Sequence, residues 1–162
     1  MKVYVINGPM GVGKTTVGRA LADAMPGTAF IDGDWCLDLH PFIGNAETKA
    51  MAVDNILHMI ANYKACSLCR NVVLAWLMDD QWVMDSITAG ILSCGLQPVH
   101  VTLICSEEAL TARWRGDNSC EWRTNKWLGV SLKSLPQFSS SESCIDTTAL
   151  TVPEIVRIIL EK

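Results

Sequence analysis

The strongest constraint on the fold is a short glycine-rich segment near the start of the chain. Residues 8–15 read Gly-Pro-Met-Gly-Val-Gly-Lys-Thr and fit the pattern G-x-x-x-x-G-K-[ST] at every fixed position. The β-branched run Lys2–Asn7 before this segment predicts a buried strand, and Thr15–Met25 after it carries apolar residues at helical spacing. A strand, a glycine loop and a helix in this order predict a phosphate-binding loop.

Each fixed position of this loop has a physical task. The glycines let the backbone curl so that successive N–H groups converge on a β-phosphate, and the start of the helix adds its partial positive charge. We expect Lys14 to bridge the β- and γ-phosphates and the Thr15 hydroxyl to bind magnesium, so ATP and Mg²⁺ are the predicted cofactors. The predicted nucleotide-binding residues of the loop are Gly8, Pro9, Met10, Gly11, Val12, Gly13, Lys14, Thr15 and Thr16.

Strand and helix patterns alternate along the rest of the chain. Further strands are predicted at Thr28–Ile31, Asn71–Met78, Pro98–Cys105 and Cys144–Asp146. Helices are predicted at Asn45–Cys69, from about Asp80 to Ser93, from Ser106 onward and at Val152–Leu160. This alternation predicts an α/β fold, a three-layer α/β/α sandwich of the P-loop NTPase type around a five-stranded parallel sheet.

The domain organisation follows from the same pattern. Residues 1–162 are predicted to form a single domain, since no linker or internal repeat interrupts the alternation. The polar stretch Gly116–Ser143 departs from it and is too short for a core of its own. We therefore expect a lid-like flap at about 113–143.

Two carboxylates follow the second predicted strand. Asp32 and Asp34 stand at its carboxyl end, where open α/β sheets bind their ligands. One carboxylate can hold magnesium and the other can take the proton of an acceptor hydroxyl. We assign the magnesium role to Asp32 and the role of base to Asp34, which lies further out of the strand; a solvated turn is the alternative.

Aromatic and acidic residues near these carboxylates are candidates for binding an acceptor. Trp35 directly follows the acidic pair, and Trp76 ends the third predicted strand at the same edge of the sheet. Asp79 comes after that strand, where a carboxylate of the magnesium site would lie; a helix N-cap is the alternative.

Arginines are predicted to stabilise the charge of a transferred phosphoryl group. Arg113 and Arg123 flank or lie within the predicted flap, whose closure would bring them to the site and exclude water. We predict catalytic roles for both, together with Lys14 and Asp34; for the arginines, solvated side chains at a helix end are the alternative.

Composition excludes several classes of protein. The net charge of -4 disfavours binding to nucleic acid, and no apolar run approaches the roughly 18 residues that would span a membrane. The N-terminus has the pattern of a strand and not of a signal peptide, and the seven cysteines show no framework spacing. A cytoplasmic protein with reduced thiols is expected, as a monomer or homodimer.

Together these features resemble small P-loop kinases. The loop at 8–15, the acidic pair, the arginines of the flap and the tail at 145–148 are similar to those of shikimate kinase, gluconate kinase, adenylylsulfate kinase and the chloramphenicol phosphotransferase-like proteins. The resemblance implies that Asp32 and Asp34 serve magnesium and the acceptor hydroxyl, and that Arg113 or Arg123 is the lid arginine. It also implies that Asp146, Thr147 and Thr148 contact adenine.

One departure from the resemblance bears on the acceptor. Shikimate kinase has a glycine-rich turn after its third strand, whereas residues 75–78 here read Ala-Trp-Leu-Met. We therefore expect a larger small-molecule acceptor that is partly aromatic or apolar, such as a nucleoside or an antibiotic. The leading hypothesis is an ATP- and Mg²⁺-dependent phosphotransferase; a nucleotide-binding switch or ATPase module without an acceptor is the alternative.

Overall fold

A parallel five-stranded sheet is the centre of the fold across residues 1–117 and 124–162, the part of the chain that the computed structural model describes. The strands are β1 (Lys2–Asn7), β2 (Thr28–Asp32), β3 (Asn71–Ala75), β4 (Gln97–Ile104) and β5 (Cys144–Asp146). Their order is β2-β3-β1-β4-β5, and all neighbours are parallel. β2 and β3 lie on one side of β1, whereas β4 and β5, which come later in the chain, lie on the other side. The direction in which strands are added to the sheet therefore reverses at β1. Open α/β sheets bind ligands at the carboxyl ends of strands beside such a reversal.

Helices cover both faces of the sheet. Within the described residues they are α1 (Lys14–Ala24), α2 (Ala46–Ala65), α3 (Gln81–Ser93), α4 (Glu107–Gly116), α5 (Asn125–Ser139) and α6 (Val152–Leu160), with a short 3-10 helix at Gly33–Leu37. None of these described helices is both long and apolar enough to cross a bilayer.

The side chains of the strands alternate between two cores. Val3 and Val5 of β1 belong to the core beneath α2 and α3, whereas Tyr4 and Ile6 belong to the core beneath α1, α5 and α6. A strand that is buried on both faces has no polar side, which is why β1 and β3 read as continuous apolar runs. The predicted α/β/α sandwich with five parallel strands is confirmed.

The third strand is shorter than predicted. The apolar run Asn71–Met78 predicted a strand throughout, but β3 ends at Ala75. The side chain of Asn7 explains part of this difference, because it bonds both backbone groups of Met78: Asn7 Nδ2 donates to the Met78 carbonyl and the Met78 N–H donates to Asn7 Oδ1, each at 2.9 Å. The backbone of Met78 is thereby bonded to a side chain instead of to a strand.

Two helices also differ from the sequence pattern. The helix predicted at Asn45–Cys69 spans Ala46–Ala65, since Asn45 is its cap and the Asn45 Oδ1 atom accepts the N–H of Thr48. Helix α5 lies inside the stretch expected to be a flap, and its buried residues recur at helical spacing: Leu128, Ser131, Leu135 and Phe138. Whether the segment at 113–143 moves as a lid stays a prediction.

Candidate active site

The loop at residues 8–15 leaves β1 and curls at the point where the strand order reverses. Gly8, Gly11 and Gly13 have positive φ angles of 142°, 79° and 109°. Side chains rarely adopt such conformations, so glycine is needed at these positions. At two of these positions a side chain would also clash with its neighbours. A Cβ atom on Gly8 would lie 2.4 Å from the Leu103 carbonyl oxygen, and one on Gly11 would lie 2.8 Å from the Trp114 ring.

The start of α1 is open toward this loop. Its capping residue is Gly13, and no side chain in the described part of the chain caps the helix there. First-turn N–H groups have no acceptor within their own helix, so they and the helix dipole favour an anion at this point. Lys14 arches over the loop, with its Nζ atom donating to the carbonyls of Gly8 at 2.9 Å and Pro9 at 3.0 Å.

A hydroxyl and a carboxylate meet beside the loop. Thr15 Oγ1 donates to Asp32 Oδ2 at 3.2 Å, although the two residues lie on different elements. Hydroxyl and carboxylate oxygens are ligands that Mg²⁺ accepts. The donor set therefore fits a magnesium ion next to a phosphate in the loop, and the magnesium role of Thr15 and Asp32 stays a prediction.

Asp34 lies beside this pair, with its backbone N–H donating to Asp32 Oδ1 at 3.2 Å. Burial against neighbouring atoms and the Asp32 carboxylate raise the pKa of the Asp34 carboxyl above its ordinary value, against the opposing effects of Lys14 and a hydrogen bond from the Trp76 side chain. Asp34 still has access to solvent. The Asp34 carboxyl is therefore accessible from solvent, and its raised pKa makes it a stronger base than an ordinary aspartate.

Trp76 is held against Asp34 by a glycine. A Cβ atom on Gly33 would lie 2.1 Å from Trp76 Cγ, so any larger residue at position 33 would push the indole away. The glycine between the two carboxylates thus has a packing role that the sequence analysis did not assign. Trp76 is buried and directly follows β3, at the edge where it was expected.

The base of the loop is fixed by a residue that the sequence analysis missed. Asn7 is 5% exposed, and its Oδ1 atom accepts the N–H of Gly8 at 2.8 Å in addition to its bonds with Met78. It ties the first residue of the glycine loop to the segment after β3. A polar residue ending an otherwise apolar strand was the available signal.

Helix α5 holds the crest of the same loop. The Ser131 hydroxyl donates to the Met10 carbonyl at 2.6 Å, and Ser131 is only 1% exposed. The peptide that carries this carbonyl also carries the N–H of Gly11, so the bond orients a donor of the loop. In the sequence, the sign of this contact is a serine at a buried position of α5, and that position can be identified only once α5 itself has been predicted.

Replacing Ser131 with alanine is expected to weaken ATP binding about tenfold, because the freed Met10 carbonyl lets the Gly11 N–H turn away from the phosphates. Calorimetric titration of ATP into Ser131→Ala measures this. Ser134→Ala is the control, since the Ser134 hydroxyl bonds only the Ser131 carbonyl within α5 at 2.7 Å. Equal ATP affinity in both variants would contradict the assignment.

Arg113 joins two segments of the site. Its guanidinium donates to the Val12 carbonyl at 3.0 Å, the Thr147 hydroxyl at 2.9 Å and the Thr147 carbonyl at 2.6 Å. These bonds give Arg113 a part in positioning the glycine loop, beside the catalytic role predicted for it. Arg123, the other predicted arginine, lies outside the described residues.

The loop after β5 lies next to this arginine. Thr147 is fully buried, whereas Asp146 and Thr148 are exposed. Hydrogen bonds from the Thr148 hydroxyl and N–H, at 2.6 and 2.9 Å, lower the pKa of Asp146. The Thr148 hydroxyl also accepts the N–H of Ser106 at 2.8 Å, which joins the loop to the start of α4. The loop expected to contact adenine is thus ordered by its own side chains.

The remaining predicted acceptor residues lie at the same edge of the sheet. Trp35 is 74% exposed, and the Arg19 guanidinium lies 5.8 Å from the centre of its ring. Asp79 is exposed, and its carbonyl accepts a hydrogen bond from Gln137 of α5 at 2.8 Å. Asp79 does not cap α3; that role belongs to Asp80.

Comparison with protein families gives one match. Residues 5–126 match the AAA domain family, and this range covers the end of β1, the glycine loop, the acidic pair and β2 to β4. No curated protein matches the sequence significantly.

Comparison with solved structures gives matches along almost the whole chain. A tunicamycin resistance protein from Deinococcus radiodurans has a TM-score of 0.74 at 20% identity, over 99% of this chain and 94% of its own. A gluconokinase from Sinorhizobium meliloti 1021 has a TM-score of 0.73 at 21% identity, over 99% of this chain and 90% of its own. A shikimate kinase from Bacteroides thetaiotaomicron has a TM-score of 0.68 at 17% identity, over 98% of this chain and 96% of its own. The fold is that of small P-loop kinases, as the resemblance implied.

Proposed function

Because this chain belongs to the AAA domain family, we propose that it transfers the γ-phosphate of ATP to a hydroxyl group of a small molecule. The observation that carries the proposal is a convergence at one edge of the sheet. The glycine loop with Lys14, the Thr15–Asp32 pair and the accessible Asp34 carboxyl all meet there. These are the parts that phosphoryl transfer requires: a phosphate cradle, a magnesium site and a base.

The chain's own residues divide the work. The loop N–H groups and Lys14 hold the phosphates, while the Thr15 hydroxyl and the Asp32 carboxylate would hold Mg²⁺, which supplies positive charge to the phosphate oxygens when bound. Asp34 accepts the proton of the acceptor hydroxyl, the hydroxyl oxygen bonds to the γ-phosphorus, and the bond to the β–γ bridging oxygen breaks, releasing ADP.

The acceptor is proposed to be a compound with an aromatic or apolar part. The gluconokinase and shikimate kinase among the structural matches are named for two small hydroxylated acids, and the tunicamycin resistance protein for an antibiotic. Trp35 is exposed and directly follows Asp34 in the chain, so an aromatic surface is available next to the base, and such a surface suits an apolar group better than a small acid. An acceptor of the antibiotic or nucleoside type is therefore favoured.

The proposed function is tested by following ADP release from ATP and magnesium across a panel of acceptors. The panel holds nucleosides, hydroxylated antibiotics, gluconate and shikimate. We expect one of the first two classes to raise ADP release above the rate without acceptor. Efficient turnover of gluconate or shikimate would contradict the acceptor class. ADP release that no acceptor raises would favour a nucleotide-binding switch or ATPase module.

Replacement of Trp76 by phenylalanine is expected to move the acid limb of the pH–rate profile to higher pH. The Trp76 side chain stabilises the ionised carboxylate, so its loss raises the pKa of Asp34 further and the base ionises only at higher pH. In the wild type we expect this limb to lie above the range of an ordinary aspartate, because burial and the Asp32 carboxylate raise the pKa of Asp34.

The measurement is kcat/KM from about pH 4 to about pH 9, in wild type and Trp76→Phe. Trp127→Phe is the control, because Trp127 is an exposed residue of α5 that is not among the groups acting on Asp34. A limb that stays in place in Trp76→Phe would contradict the assignment of Asp34 as the titrating base.

A further inference from the structure

A pocket lies between the first turns of α2 and α3, and none of its lining residues was assigned to the candidate active site. Its volume is about 260 Å³, and its lining residues are Ala46, Lys49, Ala50, Asp80 and Trp82. Ala46 and Ala50 stand one turn apart on the same face of α2, so two methyl groups face the space. Trp82 is 50% exposed, which leaves a large part of its indole uncovered.

The charges in this pocket balance each other. Lys49 Nζ lies 3.2 Å from Asp80 Oδ2, and both side chains are partly buried. A bound anion would have to compete with Asp80 for Lys49, and a bound cation would have to compete with Lys49 for Asp80. Because each charge already has its partner within the pocket, the pocket favours an uncharged group.

The pocket is on the acceptor side of the site. Both helices begin at the carboxyl edge of the sheet, where Asp34 lies. Asp80 caps α3 by accepting the N–H of Trp82 at 3.0 Å. It follows Trp76, whose side chain lowers the pKa of Asp34, by only four positions. The pocket and the Asp34 carboxyl thus lie at the same edge of the sheet, and an acceptor that spans both would place its hydroxyl at Asp34 and another group in the pocket.

We propose that the pocket binds an uncharged aromatic ring of the acceptor, with Trp82 stacked on the ring and the alanine methyls opposite. The proposal rests on the proposed function and adds the chemical class of the group beside the reacting hydroxyl. The space is sufficient, because an apolar cavity of roughly 150 Å³ already holds benzene. Stacking on an indole also discriminates between a flat ring and an aliphatic group of the same polarity.

The test is calorimetric titration without nucleotide, using pairs of hydroxylated compounds that differ in the ring. Phenyl β-glucoside is compared with methyl β-glucoside, and uridine with ribose, so that an aryl group and a nucleobase are tested separately. 4-Carboxyphenyl β-glucoside, compared with phenyl β-glucoside, tests whether a negative charge on the ring is tolerated. We expect at least one ring-bearing compound to bind about tenfold more tightly than its ring-free partner, and the carboxylate to remove the gain of the phenyl ring.

Two variants and a control locate the binding. Trp82→Ala removes the stacking surface and Ala50→Leu fills the pocket, so each is expected to abolish the tenfold gain. Leu92→Ala should keep it, because Leu92 is an exposed residue at the opposite end of α3. The proposal is overturned if neither ring improves binding, or if the gain survives both Trp82→Ala and Ala50→Leu.

Failure of the pocket and failure of the proposed function give different results. Ring binding that depends on Trp82, without ADP release from ATP for any ring-bearing compound, supports the pocket and removes the kinase function. Turnover of acceptors with no gain from a ring supports the kinase function and overturns the pocket.

Discussion

Replacing Lys14 with alanine is expected to lower kcat/KM for acceptor phosphorylation by about 10³. The Lys14 ammonium lies over the glycine loop, within hydrogen-bond distance of the Gly8 and Pro9 carbonyls. It is therefore placed to exchange these carbonyls for phosphate oxygens and to offset the charge that develops on the transferred group. The fold should tolerate the change, because Lys14 is only partly buried at the open start of α1.

The measurement is the initial rate of ADP release with and without acceptor, in wild type and Lys14→Ala. Lys2→Ala is the control, since Lys2 is an exposed residue at the start of β1, at the opposite edge of the sheet. Thermal unfolding of both variants checks that the fold is kept. A loss of less than about tenfold in Lys14→Ala would mean that this cation does not act on the transferred phosphate.

Replacing Asp34 with asparagine is expected to lower kcat by about 10² to 10⁴ while ATP affinity changes little. Asparagine keeps the size of the side chain but cannot take a proton from the acceptor. The phosphate-binding loop and the Thr15–Asp32 pair do not depend on this carboxylate for their hydrogen bonds, so the nucleotide site should remain.

Asp38→Asn is the matched control, because Asp38 lies on the same segment and pairs with the exposed His40 at 3.3 Å. Rates at saturating ATP measure the effect on kcat, and ATP titrations measure the effect on ATP affinity. A loss of ATP affinity as large as the loss of kcat would mean that Asp34 acts mainly on the nucleotide. An unchanged kcat would rule out Asp34 as the base.

Much of the fold was predictable because its signals are local. The runs that became β1 and β5 and the amphipathic pattern of α6 carry their periodicity within a few residues, and their observed bounds match the predicted ones. The end of β3 was not predictable, because it depends on the Asn7 side chain, 71 positions away in sequence from its partner Met78. The order of strands in the sheet depends on contacts of the same range.

The candidate site divides in the same way. The conformation of the glycine loop follows from its own sequence, since the positive φ angles fall on Gly8, Gly11 and Gly13. The contacts that hold the loop do not, because Arg113 bonds Val12 across 101 positions and Ser131 bonds Met10 across 121. Such hydrogen bonds leave no periodic pattern in either segment. A sequence can therefore reveal the phosphate-binding loop without revealing the distant residues that hold it in place.

Calorimetric titration of the wild-type chain with ATP, with and without magnesium, tests most directly whether residues 8–15 hold a nucleotide for phosphoryl transfer. We expect one ATP bound per chain, tighter binding with magnesium because of the Thr15–Asp32 pair, and weaker binding in Lys14→Ala. Absence of ATP binding in the wild type, or binding that neither magnesium nor Lys14→Ala alters, would contradict the assignment of this loop and the function built on it.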